Sequence, residues 1–370
     1  MKFIINKQSI LKSLSTIEGI VSSREIRSHI GAVLIETTKT GLDLTATDLE
    51  MTLKTSVEAN IIESGKILLP ARKLSQTLRE FRFENILFEV KDLNVHIRDG
   101  DGKGKTEIEI MGSVADEFPV KISQENQKFT TLPPSMMSEM IDMCLYAVAE
   151  EDSRFAFNGL FVEHNDSSLV VVGTDGRRLS FVTRKIDTPV DTDGGIIIPF
   201  KTVRELRKLI AMSDSFAIAI DQEDNSVHFQ LKDVIFISRL IDSKFPDYQQ
   251  VIPKKSDYVV KLNREDFRSA IKQAFVLAAE PSRQIKLMFE KNELQIVAAT
   301  PEVGRVEDSI DCDFSGTPFA IAFNSNFLLD VINVMKSEEI EFHVTSSSAP
   351  AMIMDPADKD FKAVVMSMRL

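Results

Sequence analysis

The segment Leu-Val-Val-Val-Gly-Thr-Asp-Gly-Arg-Arg-Leu, residues 169–179, places a turn directly after an apolar run. Asp175-Gly176 between two strand-like runs predicts a tight hairpin, because glycine readily adopts the positive φ that such turns require. One interpretation is a surface turn in which Arg177 and Arg178 are simply solvated. A functional turn is the alternative, and related segments elsewhere in the chain bear on the choice.

The chain repeats itself with a period of about 125 residues. Thr47, Thr174 and Thr300 occupy equivalent places after apolar runs, 127 and 126 residues apart. Two further markers have the same spacing: an apolar run before a helix, at residues 67–73, 196–201 and 321–325, and a Phe-Pro pair, at residues 118–119 and 245–246. Three markers with one period indicate three tandem domains. The predicted boundaries are 1–126, 127–253 and 254–370, with linkers near residues 123–128 and 251–257.

Each predicted domain has the same order of elements. A short strand and an amphipathic helix open it, strands joined by turns follow, and a second strand and helix precede a closing pair of strands. The opening helices are predicted over residues 8–21, 135–148 and 264–277, and the closing strand–helix segments over residues 66–81, 195–212 and 319–335. Many strands with two helices per domain predict the α+β class, with the helices on one side of antiparallel sheets.

Composition narrows the class of protein. The 370 residues are 43% hydrophobic, enough to form buried cores, and the net charge of −12 argues against a surface that grips nucleic acid everywhere. Cys144 and Cys312 have no metal-site spacing, and we interpret both as reduced core thiols. The N-terminus lacks the apolar core of a signal peptide, and no apolar run is long enough to span a membrane. We therefore expect a soluble cytoplasmic protein without a membrane partner.

Positive charge is concentrated on four of the predicted helices. The windows 6–20, 70–82, 200–211 and 263–279 contain thirteen Lys or Arg and five acidic residues, a net charge of +8, which leaves −20 on the remainder. Arg264, Arg268 and Lys272 recur every four residues and so share one helix face. Such a face is often merely solvated. Four helices of like sign in an acidic chain count against that interpretation, but the helices predicted at 133–149 (net acidic) and 325–336 (neutral) do not share the pattern.

Residues able to carry out catalysis are not grouped in the sequence. There is no glycine-rich phosphate loop, nucleophile elbow or metal-ligand cluster, and the five histidines are widely separated. We therefore expect neither an enzyme nor a cofactor or metal. The chain end, residues 363–370, reads as a strand that runs to the carboxylate. It is either a last core strand or, through its flexible methionines, one wall of a groove for apolar peptides.

These motifs together resemble the bacterial DNA polymerase III beta subunit family, the sliding clamps. The resemblance rests on residues 174–179 (TDGRRL), 244–248 (KFPDY) and 364–370 (VVMSMRL), with residues 41–51 and 70–73 in support. It runs the whole length of the chain. It implies three similar domains per chain and a head-to-tail homodimer that forms a six-domain ring. Helices would line the hole and duplex DNA would pass through it without sequence readout.

The resemblance also implies a pocket for partner peptides between the second and third domains. An apolar slot with a polar rim would suit a short peptide with Leu and Phe anchors. The positions that match the family's pocket are Phe157, Thr174, Gly176, Arg177, Arg178, Leu179, Pro246, Val251, Asn324, Phe327, Val364, Met366 and Met368. The chain departs from the family at three places nearby, which are Arg177 for a frequent His, Gln250 for a basic residue and Ser367 for Pro.

Two further surfaces follow from the resemblance. The positions matching the DNA-facing set are Arg24, Arg72, Lys73, Arg154 and Lys201. The positions matching the dimer interface are Ile108, Ile110, Leu277 and Glu302. The segment 278–283, beside this interface, is shorter than in the family.

The resulting hypothesis is a processivity factor that tethers polymerases to DNA. The expected partners are double-stranded DNA, a second copy of the chain, the DNA polymerase III alpha subunit, the clamp loader delta subunit, and other polymerases and repair proteins with clamp-binding motifs. The loader would open the ring with ATP, and this chain would need no cofactor. A peptide-binding scaffold without DNA affinity and an enzyme of unrecognised type are the alternatives.

Overall fold

The structure is a computed structural model that describes residues 1–21, 29–119 and 127–370. Six α-helices lie in these ranges, which are α1 (Lys7–Ile17), α2 (Ala71–Glu80), α3 (Pro134–Leu145), α4 (Phe200–Ala211), α5 (Arg264–Leu277) and α6 (Ser325–Val334). All of the strand pairings in the described chain are antiparallel, so the predicted α+β class is confirmed.

The strands follow the predicted order in each third of the chain, except that three strands rather than a pair close each third. The first third contains β1 (Lys2–Asn6), β2 (Ala32–Thr37), β3 (Gly41–Thr47), β4 (Met51–Glu58), β5 (Asn60–Glu63), β6 (Lys66–Pro70), β7 (Asn85–Lys91), β8 (Asn94–Asp99) and β9 (Glu107–Met111). The second contains β10 (Thr130–Thr131), β11 (Gly159–Asn165), β12 (Ser168–Thr174), β13 (Arg178–Lys185), β14 (Ile196–Pro199), β15 (Ala217–Asp221), β16 (Ser226–Leu231) and β17 (Val234–Arg239). The last contains β18 (Tyr258–Asn263), β19 (Gln284–Glu290), β20 (Glu293–Thr300), β21 (Gly304–Asp311), β22 (Phe319–Asn324), β23 (Glu339–Val344), β24 (Ala351–Asp355) and β25 (Asp358–Val365).

The chain forms two compact units. The first comprises Met1–Ser135 and Arg204–Leu240. It has a five-stranded sheet in the order β5-β1-β7-β8-β9 and an eight-stranded sheet in the order β10-β15-β16-β17-β4-β3-β2-β6. Helix α1 buries Ile10, Leu14 and Ile17, which are spaced to lie on one helix face.

The second unit comprises Met136–Val203 and Ile241–Leu370. Its eight-stranded sheet has the order β14-β11-β12-β13-β25-β24-β23-β18, and its four-stranded sheet has the order β21-β20-β19-β22. Helix α5 starts where the Asn263 side chain accepts the backbone N–H groups of residues 265 and 266, and it buries Phe267 and Ile271. Its bounds are those predicted from the sequence.

Each eight-stranded sheet takes strands from two successive predicted domains. In the first unit β17 pairs with β4, and in the second β25 pairs with β13. Backbone hydrogen bonds therefore cross the predicted domain boundaries, which explains why compactness divides the chain into two parts rather than three. The boundaries 1–126, 127–253 and 254–370 remain predictions.

The hairpin turn at Asp175-Gly176 has a structural counterpart at Asp48-Leu49. In the first, Thr174 Oγ1 accepts the Gly176 N–H at 3.1 Å, and Asp175 Oδ1 accepts the N–H groups of the two following residues at 2.8 and 3.0 Å. In the second, Thr47 Oγ1 accepts the Leu49 N–H at 3.0 Å, and the Asp48 carboxylate accepts the next two N–H groups at 3.1 and 2.7 Å. The shared turn is direct structural support for the predicted repeat.

The residue with positive φ differs between the two turns. Gly176 has φ +79°, whereas Leu49 has φ +75° and is 51% exposed. This region costs a non-glycine residue about 1–2 kcal/mol, while glycine loses about 0.5–1 kcal/mol of chain entropy on folding. Leucine at position 49 is therefore a local strain that the hairpin hydrogen bonds maintain.

Glycine at position 49 and leucine at position 176 should affect stability differently. We expect Leu49→Gly to leave stability unchanged or raise it by about 0.5–1 kcal/mol. Gly176→Leu should lower stability by about 1–2 kcal/mol or more, because leucine is strained at φ +79° and Arg154 Nη1, 2.7 Å from the new Cβ, would also have to move. Urea unfolding midpoints measure both changes. A Leu49→Gly variant that is clearly less stable than the parent would contradict the strain argument.

Candidate functional site

The β12–β13 hairpin holds Arg178 in a fixed position. Its Nε donates to Asp175 Oδ2 at 3.1 Å and its Nη1 donates to Asp330 Oδ2 at 2.5 Å. The guanidinium carbon lies 4.5 Å from the centre of the Phe327 ring and 5.5 Å from that of Tyr146. Only 12% of the side chain is exposed. Arg178 is therefore not a solvated arginine of a surface turn, whereas Arg177 is exposed.

The chain end lies beside this hairpin. Strand β25 pairs with β13 so that Val364 is opposite Leu179 and Val365 is opposite Arg178. The Met366 N–H then donates to Arg177 O at 2.9 Å. The Gly-Arg-Arg-Leu turn therefore lies beside the C-terminal strand.

The predicted strand to the carboxylate is wrong in its last residues. Strand β25 ends at Val365, because β13 begins at Arg178 and provides no strand beyond it for pairing. The following tail turns to the other sheet, where the Met368 N–H donates to Ala322 O at 2.7 Å. Gln284 Nε2 also donates to Arg369 O at 3.0 Å. Residues 366–370 are thus held by few hydrogen bonds beside the hairpin.

An apolar cluster lies under the hairpin and the tail strand. Leu179 and Val364 are buried in it, and Phe157 packs against it. Phe161 and Phe245 stack there with ring centres 4.4 Å apart, and the Tyr248 hydroxyl donates to Glu163 at 2.5 Å. Because this Tyr is buried against a carboxylate, its pKa is raised above its usual range.

The predicted pocket positions divide into a buried floor and an exposed rim. Thr174, Leu179 and Val364 are buried, and Val251 and Met366 are 44% and 42% exposed. Pro246 and Gly176 are exposed, and Met368 is half-buried. Asn324 caps α6, since its side chain accepts the Asn326 N–H at 2.9 Å, and Phe327 lies one turn further on.

A recess of about 830 Å³ opens on the Arg178 side of the hairpin. Sequence reasoning missed several of its residues, among them Tyr146 and Asp330. The position of Asp330 could have been inferred, because it lies three residues after Phe327 on a helix and so shares its face. Nothing local in the sequence indicates that Arg178 reaches it, since the two are 152 residues apart.

Arg154, a predicted DNA-facing residue, also lies at this recess. Its Nε and Nη2 donate to Asp152 at 2.9 and 2.8 Å, and its guanidinium carbon lies 4.2 Å from the centre of the Phe157 ring. These hydrogen bonds hold the pKa of the Asp152 carboxyl well below its usual range. The charge of Arg154 is therefore offset locally, which makes it a weaker attraction for phosphate than the sequence indicated.

The other predicted DNA-facing residues lie on helices. Arg72 and Lys73 are exposed on the first turn of α2, and Lys201 is exposed on α4 together with Arg204. Arg24 lies outside the described residues. Basic side chains exposed on helices are suited to contact a phosphate backbone.

Helix α5 departs from the expected basic face. Arg264 Nη1 donates to Met335 O at 2.6 Å, and Arg268 Nε donates to Glu265 at 2.9 Å. Lys272 is exposed. Arg264 and Arg268 therefore have partners within the protein. The net charge of this helix overestimated the number of basic side chains available to DNA.

The predicted interface residues lie at sheet edges in each unit. Ile108 and Ile110 are half-buried on β9, the edge strand of the five-stranded sheet. In the second unit β21 is the edge of the four-stranded sheet, Glu302 is exposed just before it, and Leu277 ends α5. An unpaired edge exposes backbone donors and acceptors that another strand can use.

Reactive or metal-binding groups do not define a second site. Cys144 and Cys312 are buried and form no disulfide. Burial raises the pKa of their thiols to about 12 and about 11, respectively. Across residues 1–21, 29–119 and 127–370, no group of three His, Cys, Asp or Glu side chains is placed to hold a metal ion. In the same ranges no helix is long and apolar enough to cross a membrane.

Three tandem α+β domains with helices on antiparallel sheets define the DNA clamp fold. Models of the DNA polymerase III beta subunit match the chain in order, the N-terminal domain at residues 1–123, the central domain at 131–247 and the C-terminal domain at 249–369. The chain therefore belongs to the DNA polymerase III beta subunit family, the sliding clamps. This confirms the resemblance drawn from the sequence. Members of this family are non-catalytic processivity factors.

Relatives of known identity match over the full length. The beta sliding clamp of Salmonella typhimurium is 30% identical, and that of Pseudomonas putida is 29% identical, with 100% of each chain covered in both cases. The crystal structure of the DNA polymerase III subunit beta from Pseudomonas aeruginosa matches with a TM-score of 0.93 at 29% identity. That of Caulobacter crescentus pol III beta matches with a TM-score of 0.91 at 27% identity. Both structural matches cover 100% of each chain.

Proposed function

We propose that the chain is a DNA polymerase processivity factor that closes into a ring around duplex DNA as a head-to-tail homodimer. The full-length match to sliding clamps carries this proposal. Domains at residues 1–126, 127–253 and 254–370 would give a six-domain ring. Family membership also supports action in the bacterial cytoplasm, where the chromosome is copied.

The ring would close through two of the sheet edges, one in each unit. Strand β9 with Ile108 and Ile110 would pair with the β21 edge of the partner, near Leu277 and Glu302. Edge strands with half-buried apolar side chains suit such pairing, because the contact satisfies backbone groups and buries apolar surface together. Such a contact would be head-to-tail, because it joins β9 of one chain to a different edge, β21, of the other.

The DNA contact would be diffuse. Arg72, Lys73, Lys201 and Arg204 are exposed on helices of a chain whose net charge is −12, so positive charge is local and the remainder repels DNA. Contacts to phosphates alone give a salt-sensitive attraction without base readout, and such an attraction permits sliding. Closure of the ring supplies retention without tight binding.

Partner proteins would bind at the hairpin and the chain end. The thirteen predicted pocket residues include a buried apolar floor and an exposed rim that contains Met366, which suits peptides with Leu and Phe anchors. We propose as partners the DNA polymerase III alpha subunit, the clamp loader delta subunit, and other polymerases and repair proteins with clamp-binding motifs. The loader would hydrolyse ATP, and this chain would not.

The test is retention on circular DNA in the presence of a clamp loader and ATP. We expect the parent chain to stay on a closed circle and to leave it when the circle is cut. The variant with Lys201→Gln and Arg204→Gln should bind duplex more weakly. Its log–log salt dependence should be shallower by about 0.9 for each phosphate that the variant no longer neutralises.

The control for the charge change is Lys291→Gln, an exposed lysine in the turn between β19 and β20. This variant should match the parent in retention and in salt dependence, both measured by gel filtration and fluorescence anisotropy. No retention of the parent on any circle would instead favour a peptide-binding scaffold. Equal salt slopes for parent and double variant would remove α4 from the DNA surface.

A further inference from the structure

Asp330 links helix α6 to the hairpin through Arg178. The carboxylate accepts from Arg178 Nη1 at 2.5 Å, while Nε of the same guanidinium donates to Asp175 in the turn. One planar cation therefore joins two carboxylates that are carried by different elements. Its fork of donors is well suited to this geometry, whereas a lysine would offer only a point charge.

The face of the same guanidinium lies against Phe327. The distance from its central carbon to the ring centre is 4.5 Å, which is within the range of a cation–π contact. Asp330 follows Phe327 by three residues on α6, so both side chains project from one helix face. Edge and face of Arg178 are thus both engaged by α6.

These contacts join two walls of the proposed pocket. Thr174, Gly176 and Leu179 belong to the hairpin, and Asn324 and Phe327 belong to the start of α6. Arg178 has only 12% of its side chain exposed and Asp330 has 41%, so solvent weakens the ion pair less than at an open surface. A change at Asp330 should alter the distance and angle between the two walls.

Resting on the proposed peptide-binding function, we propose that Asp330 is a positioning residue for the pocket. It holds Arg178 against Phe327 and thereby keeps the hairpin and α6 in the arrangement that a partner peptide requires. Asp330 acts through Arg178 and does not itself bind the peptide. Without it, the competent arrangement is populated only part of the time.

This role makes a kinetic prediction that differs from that of a residue in direct contact with the peptide. When only a fraction of molecules is competent, the apparent affinity falls by that fraction. With rapid interconversion, the loss appears in the association rate constant. Removal of a direct contact appears instead in the dissociation rate constant, as for most interface substitutions.

The experiment uses stopped-flow fluorescence with the full chain and a labelled peptide that carries Leu and Phe anchors. We expect Asp330→Asn to lower the apparent association rate constant by about three- to ten-fold. The dissociation rate constant should stay within about two-fold of the parent value. Asp330→Glu keeps the charge and should restore at least half of the lost rate. Asp360→Asn, an exposed acidic residue on β25, is the control and should change neither constant.

Hydrogen exchange of residues 173–179 gives a second readout that does not depend on the peptide. Faster exchange in Asp330→Asn, with unchanged exchange in α5, supports local loosening of the hairpin. A raised dissociation rate constant with an unchanged association rate constant would overturn the proposal, and so would unaltered kinetics in Asp330→Asn. If the parent itself does not bind the peptide, the proposed function fails first and the inference fails with it.

Discussion

Deleting residues 366–370 should abolish partner-peptide binding while the chain still dimerises. The deletion removes Met366 and Met368 from the rim, together with the hydrogen bonds to Arg177 and Ala322 that hold them there. Both methionines are partly exposed and a bound peptide would complete their burial; full burial of a methionine contributes about 1.5–3 kcal/mol. Loss of about 2.7 kcal/mol or more corresponds to at least a hundred-fold weaker affinity. Fluorescence polarisation with a labelled peptide measures the change.

The matched control removes Leu370 alone. That side chain is 64% exposed, and its removal leaves the backbone hydrogen bonds of Met366 and Met368 in place. The control should bind peptide like the parent, and native mass spectrometry should give a mass near twice 41.5 kDa for all three proteins. Undiminished affinity after deletion of all five residues would show that the pocket lies elsewhere.

Replacing Ile108 and Ile110 by Asp should convert the dimer to monomers. The two residues are two positions apart on β9, so they project from the same side of this edge strand. Burying an unpaired polar group costs about 1–3 kcal/mol on protein scales, and a charge costs more. The double substitution should therefore weaken the dimer by at least about a thousand-fold. Retention on circular DNA should disappear together with the dimer mass.

Glu109→Gln on the same strand is the control, because Glu109 lies between the two isoleucines and is exposed. It should keep both the dimer and the retention. Peptide binding should survive in the Ile108→Asp, Ile110→Asp chain, since the proposed pocket is in the other unit. A double variant that remains dimeric in native mass spectra at micromolar concentration would exclude β9 from the interface.

Much of the fold could be predicted because the repeat supplied three views of one pattern. Helix α5 has the predicted bounds. Helix α1, predicted over residues 8–21, ends at Ile17, where the chain tightens so that the Ile20 N–H donates to Ile17 O. Apolar spacing continues through this tighter turn, so periodicity alone does not reveal the end of the helix.

The sites were only partly predictable. The resemblance placed the turn 174–179 near the chain end, and β13 does pair with β25. The partners of individual charged side chains could not be predicted from the sequence. Arg154, Arg178 and Arg264 are all held by groups within the protein, and each partner depends on tertiary contacts that local spacing does not encode. A count of charges on a helix or a turn overestimates those left for a ligand.

The shared sheets have a mechanical consequence for the proposed opening of the ring. Strands β4 and β17 are joined through five residue pairs, and so are β13 and β25. Bending the chain at a predicted domain boundary would load several backbone hydrogen bonds at once. A loader would act instead at the proposed contact between the two chains, β9 against β21. That contact would part while the β4–β17 and β13–β25 pairings stay intact, and the ring would reseal without refolding.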